Sequence, residues 1–284
     1  MPSKSKLGQN FLRDQQAIRR ILAALGSCSG RTVIEIGPGR GAITRELATK
    51  AGRVIALEVD HVLASQLSAD FLNSESADSA CVAIETIDVL AFDFEAAFKT
   101  AGQRLIVVGN LPYYITSPIL RKLADCATAV DRAVLMVQRE VAARVTANPG
   151  SRDYGLLSVI VQMHGPVEPL FTLPPSAFSP RPEVHSTVFR WRIAPRFQEL
   201  GVDRNCFLDF LRRVFALKRK TLANNLRAAG LESGVIAHFL TSAGIEAKAR
   251  AEELPLETLA ALWRSLKEQG AIPSSGTAPS SGSE

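Results

Sequence analysis

Residues 32–42 read Thr-Val-Ile-Glu-Ile-Gly-Pro-Gly-Arg-Gly-Ala, and this stretch decides the fold. A β-rich run stops at alternating glycines, and the residues that follow have helical spacing. Glycines at a strand-to-helix turn let a ligand approach the backbone, and the helix beyond presents unsatisfied amide N–H groups. The unit recurs along the chain. Runs 53–59, 81–87, 105–109 and 133–137 are also short and β-rich, while 41–51, 60–72, 116–124 and 139–147 have helical spacing. Strands alternating with helices predict βαβ units and a parallel sheet with helices on both faces. Two later runs, 156–163 and 186–193, read as strands joined by the Pro-rich stretch 165–182. They predict a closing antiparallel hairpin, giving an α/β, Rossmann-like sheet of seven strands. Residues 73–80 (NSESADSA) read as a polar surface loop.

Beyond residue 195 no strand signal remains. Residues 203–217, 218–229, 233–243 and 255–268 read as amphipathic helices, with breaks at Gly230 and Gly244. The expected organisation is a Rossmann-like catalytic domain over 1–194, a small all-α domain over 195–270, and a disordered Ser/Gly/Pro-rich tail over 271–284. Charge follows the same division. Residues 1–189 carry 19 Lys+Arg against 18 Asp+Glu, whereas 190–270 carry 14 against 9. Arg212, Arg213, Lys218, Arg219, Lys220 and Arg227 lie within sixteen residues. This basic module suggests phosphate contacts, although a solvated helix face explains it equally well.

Composition narrows the class. Hydrophobic residues are 46% and charged residues 21%, enough for a sizeable core. No apolar run approaches the roughly 18 residues of a membrane span, and the N-terminus, with Lys4, Lys6 and Arg13, has no apolar signal core. A cytoplasmic protein is expected. Cys28, Cys81, Cys126 and Cys206 form no CxxC pair, so neither a disulfide framework nor a metal site is expected.

The second strand ends in Glu58, 21 residues after Gly37. A carboxylate there can accept from both ribose hydroxyls of a nucleoside. Gly37 and Gly39 followed by Ala42 also satisfy the looser dinucleotide fingerprint. Glu35, two residues before the first glycine, and Gly41 make the pattern E-x-G-x-G-x-G, which favours S-adenosylmethionine. Asp88 follows the third strand, where it can either accept from an adenine amino group or close an ordinary turn.

The fourth strand runs into Gly109-Asn110-Leu111-Pro112-Tyr113. An adenine exocyclic amine is a poor nucleophile because its lone pair is delocalised into the ring. A catalyst must hold it in line and draw electron density back onto nitrogen. The Asn110 side-chain oxygen and the Leu111 carbonyl suit that task. Pro112 stiffens the turn, and Tyr113 offers a ring for stacking. At the end of the fourth strand of a sheet whose first turn binds a cofactor, a plain turn is the weaker reading.

Together, E-x-G-x-G-x-G at 35–41 and N-L-P-Y at 110–113 resemble the ribosomal RNA adenine N6-dimethyltransferases, in particular the bacterial enzymes of small-subunit (16S) rRNA. The resemblance extends over 4–229. It includes Lys6-Leu7-Gly8-Gln9-Asn10-Phe11-Leu12, Gly109 to Leu120, Gln138 to Ala142, Asp153 to Ser158, Phe178-x-Pro180-x-Pro182-x-Val184-x-Ser186, and Lys218 to Leu222. It implies cofactor contacts at Asn10, Leu12, Gly37, Glu58, Asp88 and Asn110, and stacking of Phe178 on the adenine opposite Tyr113. It also implies dimethylation of two adjacent adenosines near the 3′ end of 16S rRNA in an immature small subunit, by an enzyme that is monomeric when free. Glu183 and His185 depart from the pattern, where a basic residue and an Asp are expected. Alternatives are a 23S rRNA adenine methyltransferase of the macrolide-resistance type, an assembly factor acting mainly by binding, and a nicotinamide oxidoreductase.

Overall fold

The computed structural model describes residues 9–73 and 81–272. The expectations for Lys6 to Gly8, for most of the polar loop and for the tail beyond residue 272 lie outside the described residues. In chain order the elements are β1 (Phe11–Leu12), α1 (Gln15–Leu25), β2 (Thr32–Ile36), α2 (Ala42–Ala48), β3 (Arg53–Glu58), α3 (His61–Leu72), β4 (Val82–Thr86), α4 (Phe94–Ala101), β5 (Leu105–Asn110), α5 (Thr116–Asp125), β6 (Val130–Gln138), α6 (Arg139–Val145), α7 (Leu156–Met163), β7 (Val167–Leu173), β8 (Phe178–Ser179), β9 (Ser186–Arg192), α8 (Arg204–Val214), α9 (Leu222–Ala228), α10 (Ser233–Ser242) and α11 (Leu256–Glu268).

The chain forms two compact units. One takes the chain up to Thr146 and again His164–Ala194; the other takes Ala147–Met163 and the chain from Pro195 onward. The first unit holds a seven-stranded sheet in the order β4-β3-β2-β5-β6-β9-β7. Strands β4 through β6 are parallel, while β9 runs antiparallel to both β6 and β7. Every residue of β2 is buried, as expected of a central parallel strand covered on both faces. Helix α1 shows the amphipathic rule. Asp14 caps it by accepting from the Gln16 and Ala17 amides at 2.8 and 3.0 Å, and Ala17, Ile18, Ile21, Leu22 and Leu25 form its buried stripe.

One expected strand is a helix. Residues 156–163 form α7, and the hairpin partner of β9 is β7, inside the stretch read as a linker. A short apolar run such as LLSVIVQM fits a buried strand or a buried helix equally well by periodicity. The backbone decides it: the Val159 amide donates to the Gly155 carbonyl at 3.1 Å, the i→i−4 bond of a helix, the Ser158 hydroxyl accepts from the Gly155 amide at 3.0 Å, and Ser158, Val159, Ile160, Val161 and Met163 are all buried. Strand β7 accommodates Pro169 because it is an edge strand, and its register shifts between Pro169 and Phe171. The count of seven strands stands, with one member replaced.

In the second unit the expected helices appear as α8 to α11, and α7 joins them. They enclose a core containing Phe207, Phe239, Leu259 and Trp263, in which the Phe207 and Trp263 rings meet edge-on with centroids 5.9 Å apart. Among the described residues no helix is long and apolar enough to cross a membrane.

Candidate active site

The strand order reverses between β2 and β5: the chain proceeds outward through β3 and β4, then returns to the other side of β2. Ligands of such sheets bind at this switch point, outside the carboxyl ends of the strands. A cleft lies there, lined by Asn10, Phe11, Leu12, Glu35, Gly37, Gly39, Glu58, Val59, Asp88, Asn110, Leu111, Pro112, Tyr113 and Tyr114, among others.

Two glycines set its shape. Gly39 has φ +54°, and a Cβ there would lie 2.8 Å from the Phe11 ring. Gly109 has ordinary backbone, but a Cβ would meet the Ile36 carbonyl oxygen at 2.8 Å and the Ile36 Cβ at 2.9 Å. The ends of β2 and β5 therefore approach closely, and Asn110 is seated beside the glycine turn.

Glu58 is almost fully buried (4% exposed). Its Oε2 accepts from the Gly39 amide at 3.1 Å and its Oε1 from the Asp60 amide at 3.0 Å. Each carboxylate oxygen retains a further lone pair for a ligand hydroxyl. Asp88 is exposed and accepts from the Leu90 amide at 2.9 Å, so it closes a turn and borders the cleft at once. Glu35 is 2% exposed, and its Oε2 has no hydrogen-bond partner. Burial pushes its pKa up to about 7, with the nearby Thr44 hydroxyl opposing and the Glu58 charge adding.

Asn110 donates from Nδ2 to the Asn10 backbone carbonyl at 2.9 Å. The Leu111 amide donates to the Met136 carbonyl at 2.9 Å, and the Leu111 side chain is buried. The Tyr113 hydroxyl and Ser186 Oγ share a hydrogen bond of 3.0 Å.

The cleft thus gathers Asn10, Leu12, Gly37, Gly39, Glu58, Asp88, Asn110, Leu111, Pro112 and Tyr113. It does not gather Phe178. That residue is 3% exposed, pairs with Leu12 across β1 and β8, and belongs to the core cluster with Leu12, Ile18 and Val188. Glu183 and His185 are exposed, and the His185 carbonyl accepts from the Arg139 amide at 3.0 Å.

The family model for ribosomal RNA adenine dimethylase matches residues 2–268. The chain belongs to the ribosomal RNA adenine dimethylase family. It is an S-adenosylmethionine-dependent rRNA methyltransferase. It is 56% identical, over 94% of its length and 92% of the relative's, to ribosomal RNA small subunit methyltransferase A of Acidobacterium capsulatum. It is 46% identical to the protein of the same name from Koribacter versatilis, over 93% of this chain and 95% of that one. A dimethyladenosine transferase from Plasmodium falciparum shares the fold at TM-score 0.77 and 22% identity, over 92% of this chain and 98% of that one. The 23S rRNA methyltransferase ErmE shares it at TM-score 0.70 and 24% identity, over 91% and 100%.

In and beside the dimethylase cleft stand residues to which the sequence patterns gave no role. Phe11 forms its wall at Gly39 and carries the Arg40 guanidinium 4.8 Å from its ring centroid. Ser186 was visible only as part of a motif; its use by Tyr113 depends on β9 lying beside β6. Tyr114 stands next to the tetrapeptide, inside the Gly109 to Leu120 match, which gave it no role of its own.

In the second unit Arg212, Arg213, Lys218, Arg219, Lys220 and Arg227 are all exposed. Arg213 pairs with Asp209 at 3.0 Å, and Arg227 donates to Asn224 at 2.7 Å. The turn carrying Lys218 to Lys220 is held by buried Asn225. Its Oδ1 accepts from the Leu217 amide at 2.8 Å, and its Nδ2 donates to the Leu217 and Thr221 carbonyls, each at 3.3 Å. Arg219, at φ +65°, is the one non-glycine residue of positive φ among the described residues.

Proposed function

We propose that the protein dimethylates the exocyclic amines of two adjacent adenosines near the 3′ end of 16S rRNA in an immature small subunit, acting in the cytoplasm as a monomer. The observation that carries this reading is the seating of Asn110 beside the Gly37 turn, with its amide nitrogen committed to Asn10. The small-subunit target is supported by relatives at 56% and 46% identity bearing that name. The 23S rRNA methyltransferase ErmE, at 24% identity, carries a likeness of fold and no more.

The residues present fit the cofactor. The unpartnered Glu35 Oε2 suits a cationic or amino group, Glu58 suits ribose hydroxyls, and Asp88 suits an adenine amino group. When bound, S-adenosylmethionine supplies a methyl group activated by a sulfonium.

The chain's own work is positional and electrostatic. With Nδ2 held by Asn10, the side-chain oxygen of Asn110 is the end that accepts from the target amine. The Leu111 carbonyl is the second acceptor. Two acceptors on two N–H bonds localise the lone pair on nitrogen and align it. No strong base is needed, because the amine loses its proton as it becomes cationic. Tyr113, fixed through Ser186, is the stacking face for the base. Resemblance gives Phe178 the opposite face, whereas its side chain is buried on β8, beside β1, in the core cluster that also holds Leu12. Lys218, Arg219 and Lys220 meet rRNA phosphates.

The test is mass spectrometry of rRNA nucleosides after incubating unmethylated small subunits with protein and cofactor. N6,N6-dimethyladenosine mapping to the 16S 3′ end is expected. Product confined to 23S rRNA, or none at all, would overturn the proposal.

A further inference from the structure

Tyr114 is 62% exposed. Among the described residues it is the only exposed Phe, Tyr or Trp. Single exposed apolar residues are ordinary on protein surfaces. This one borders the active cleft and follows directly the tyrosine assigned to the target base.

Its backbone is firmly held. Pro112 has φ −58°, the Ile115 amide donates to the Pro112 carbonyl at 3.2 Å, and the Thr116 hydroxyl donates to the same carbonyl at 3.1 Å. Thr116 is buried and opens α5. Tyr113 to Ile115 form a 3-10 turn, in which successive side chains are rotated by about 120°. The two tyrosines therefore cannot share one face. Tyr113 is half-buried and bonded to Ser186, while Tyr114 stands out at the cleft mouth.

A base drawn from its stack leaves its neighbour without a partner, and the lost stacking opposes entry. An exposed ring on a rigid backbone restores that partner at little entropic cost, since tyrosine has only two side-chain torsions to fix. We propose that Tyr114 is the stacking platform for the nucleotide adjacent to the target adenine, so that consecutive tyrosines hold consecutive splayed bases. This rests on the rRNA adenine reading above. It also suits a substrate with two adjacent targets, because for one of the two the neighbour that reaches Tyr114 is the other target.

The test uses the full chain, labelled S-adenosylmethionine and unmethylated small subunits, with Tyr114→Ala and Tyr114→Phe. Tyr114→Ala should lower kcat/KM for the subunits by roughly tenfold, as expected for loss of one base–aromatic stack. Tyr114→Phe should stay within about twofold of wild type, since the face and not the hydroxyl is used. Cofactor Kd by calorimetry should be unchanged in both. A 2-aminopurine placed beside the target adenine should be quenched by wild type and by Tyr114→Phe but not by Tyr114→Ala. Equal losses in both variants, a parallel change in cofactor Kd, or wild-type kcat/KM in Tyr114→Ala would overturn the platform. Failure of the wild type itself to methylate rRNA adenine would overturn the functional reading, and this inference with it.

Discussion

The side-chain nitrogen of Asn110 and the backbone carbonyl of Asn10, a hundred residues apart in sequence, lie 2.9 Å apart. This bond fixes which end of the amide serves as acceptor, and it joins the N-terminal motif to the catalytic strand. Asn110→Ala should reduce kcat by on the order of a hundred- to a thousandfold, the usual loss on removing one preorganised polar group from an active site. Binding of rRNA should persist. Asn110→Asp should not rescue turnover, because it sets a carboxylate oxygen against the Asn10 carbonyl. Steady-state methyl transfer beside a filter-binding assay checks both; near-wild-type turnover in Asn110→Ala would remove the residue from the mechanism.

Gly109→Ala tests how β2 and β5 position that amide. The added methyl meets the Ile36 oxygen at 2.8 Å, and backbone cannot yield cheaply. A stability loss of about 1–3 kcal/mol is expected, with a fall in kcat larger than any change in cofactor Kd. Thermal melts and kinetics on one preparation separate the two.

Glu35 makes stability depend on pH. Its folded pKa, raised to about 7, exceeds its unfolded value, so the folded state binds more protons in between. Stability should therefore fall as pH rises from about 4.5 to 7. Glu35→Gln removes that cost and should raise the cofactor-free Tm at pH 8 more than at pH 5. It should also weaken S-adenosylmethionine binding, because the unpartnered oxygen is replaced. An equal Tm shift at both pH values would refute the assignment.

Phe178 can be assigned by comparing two substitutions. Phe178→Ala should cost about 3–5 kcal/mol as a core truncation. Phe178→Leu should recover much of that stability. If the ring only supports β1, kcat recovers with it; if the ring also stacks on the base, kcat stays low despite a restored Tm.

Asn225 and the basic turn make a prediction about salt. Lys218→Ala or Lys220→Ala should reduce the slope of log affinity against log salt by about 0.7–0.9 for each phosphate that is no longer neutralised. Asn225→Ala, which leaves the Leu217 amide without its side-chain acceptor, should lower stability by about 1–3 kcal/mol and weaken rRNA binding without removing a charge. An unchanged slope in both lysine variants would move the RNA-binding surface elsewhere.

The sequence by itself determined the parallel sheet, the glycine turn, the acidic residues at strand ends, the tetrapeptide and the helical region. Each is a local pattern of period, spacing or turn chemistry, written within a few residues. It misread 156–163, where an eight-residue apolar run fits either state and only the structure shows a helix, buried among α8 to α11. Tertiary structure alone decided which groups meet. The bond from Asn110 to Asn10, the closeness of Gly109 to Ile36, the pairing of Tyr113 with Ser186 and the pairing of buried Phe178 with Leu12 all join residues distant in sequence. No local pattern encodes them, because they follow from strand order and from the strand-to-strand approach that one glycine permits.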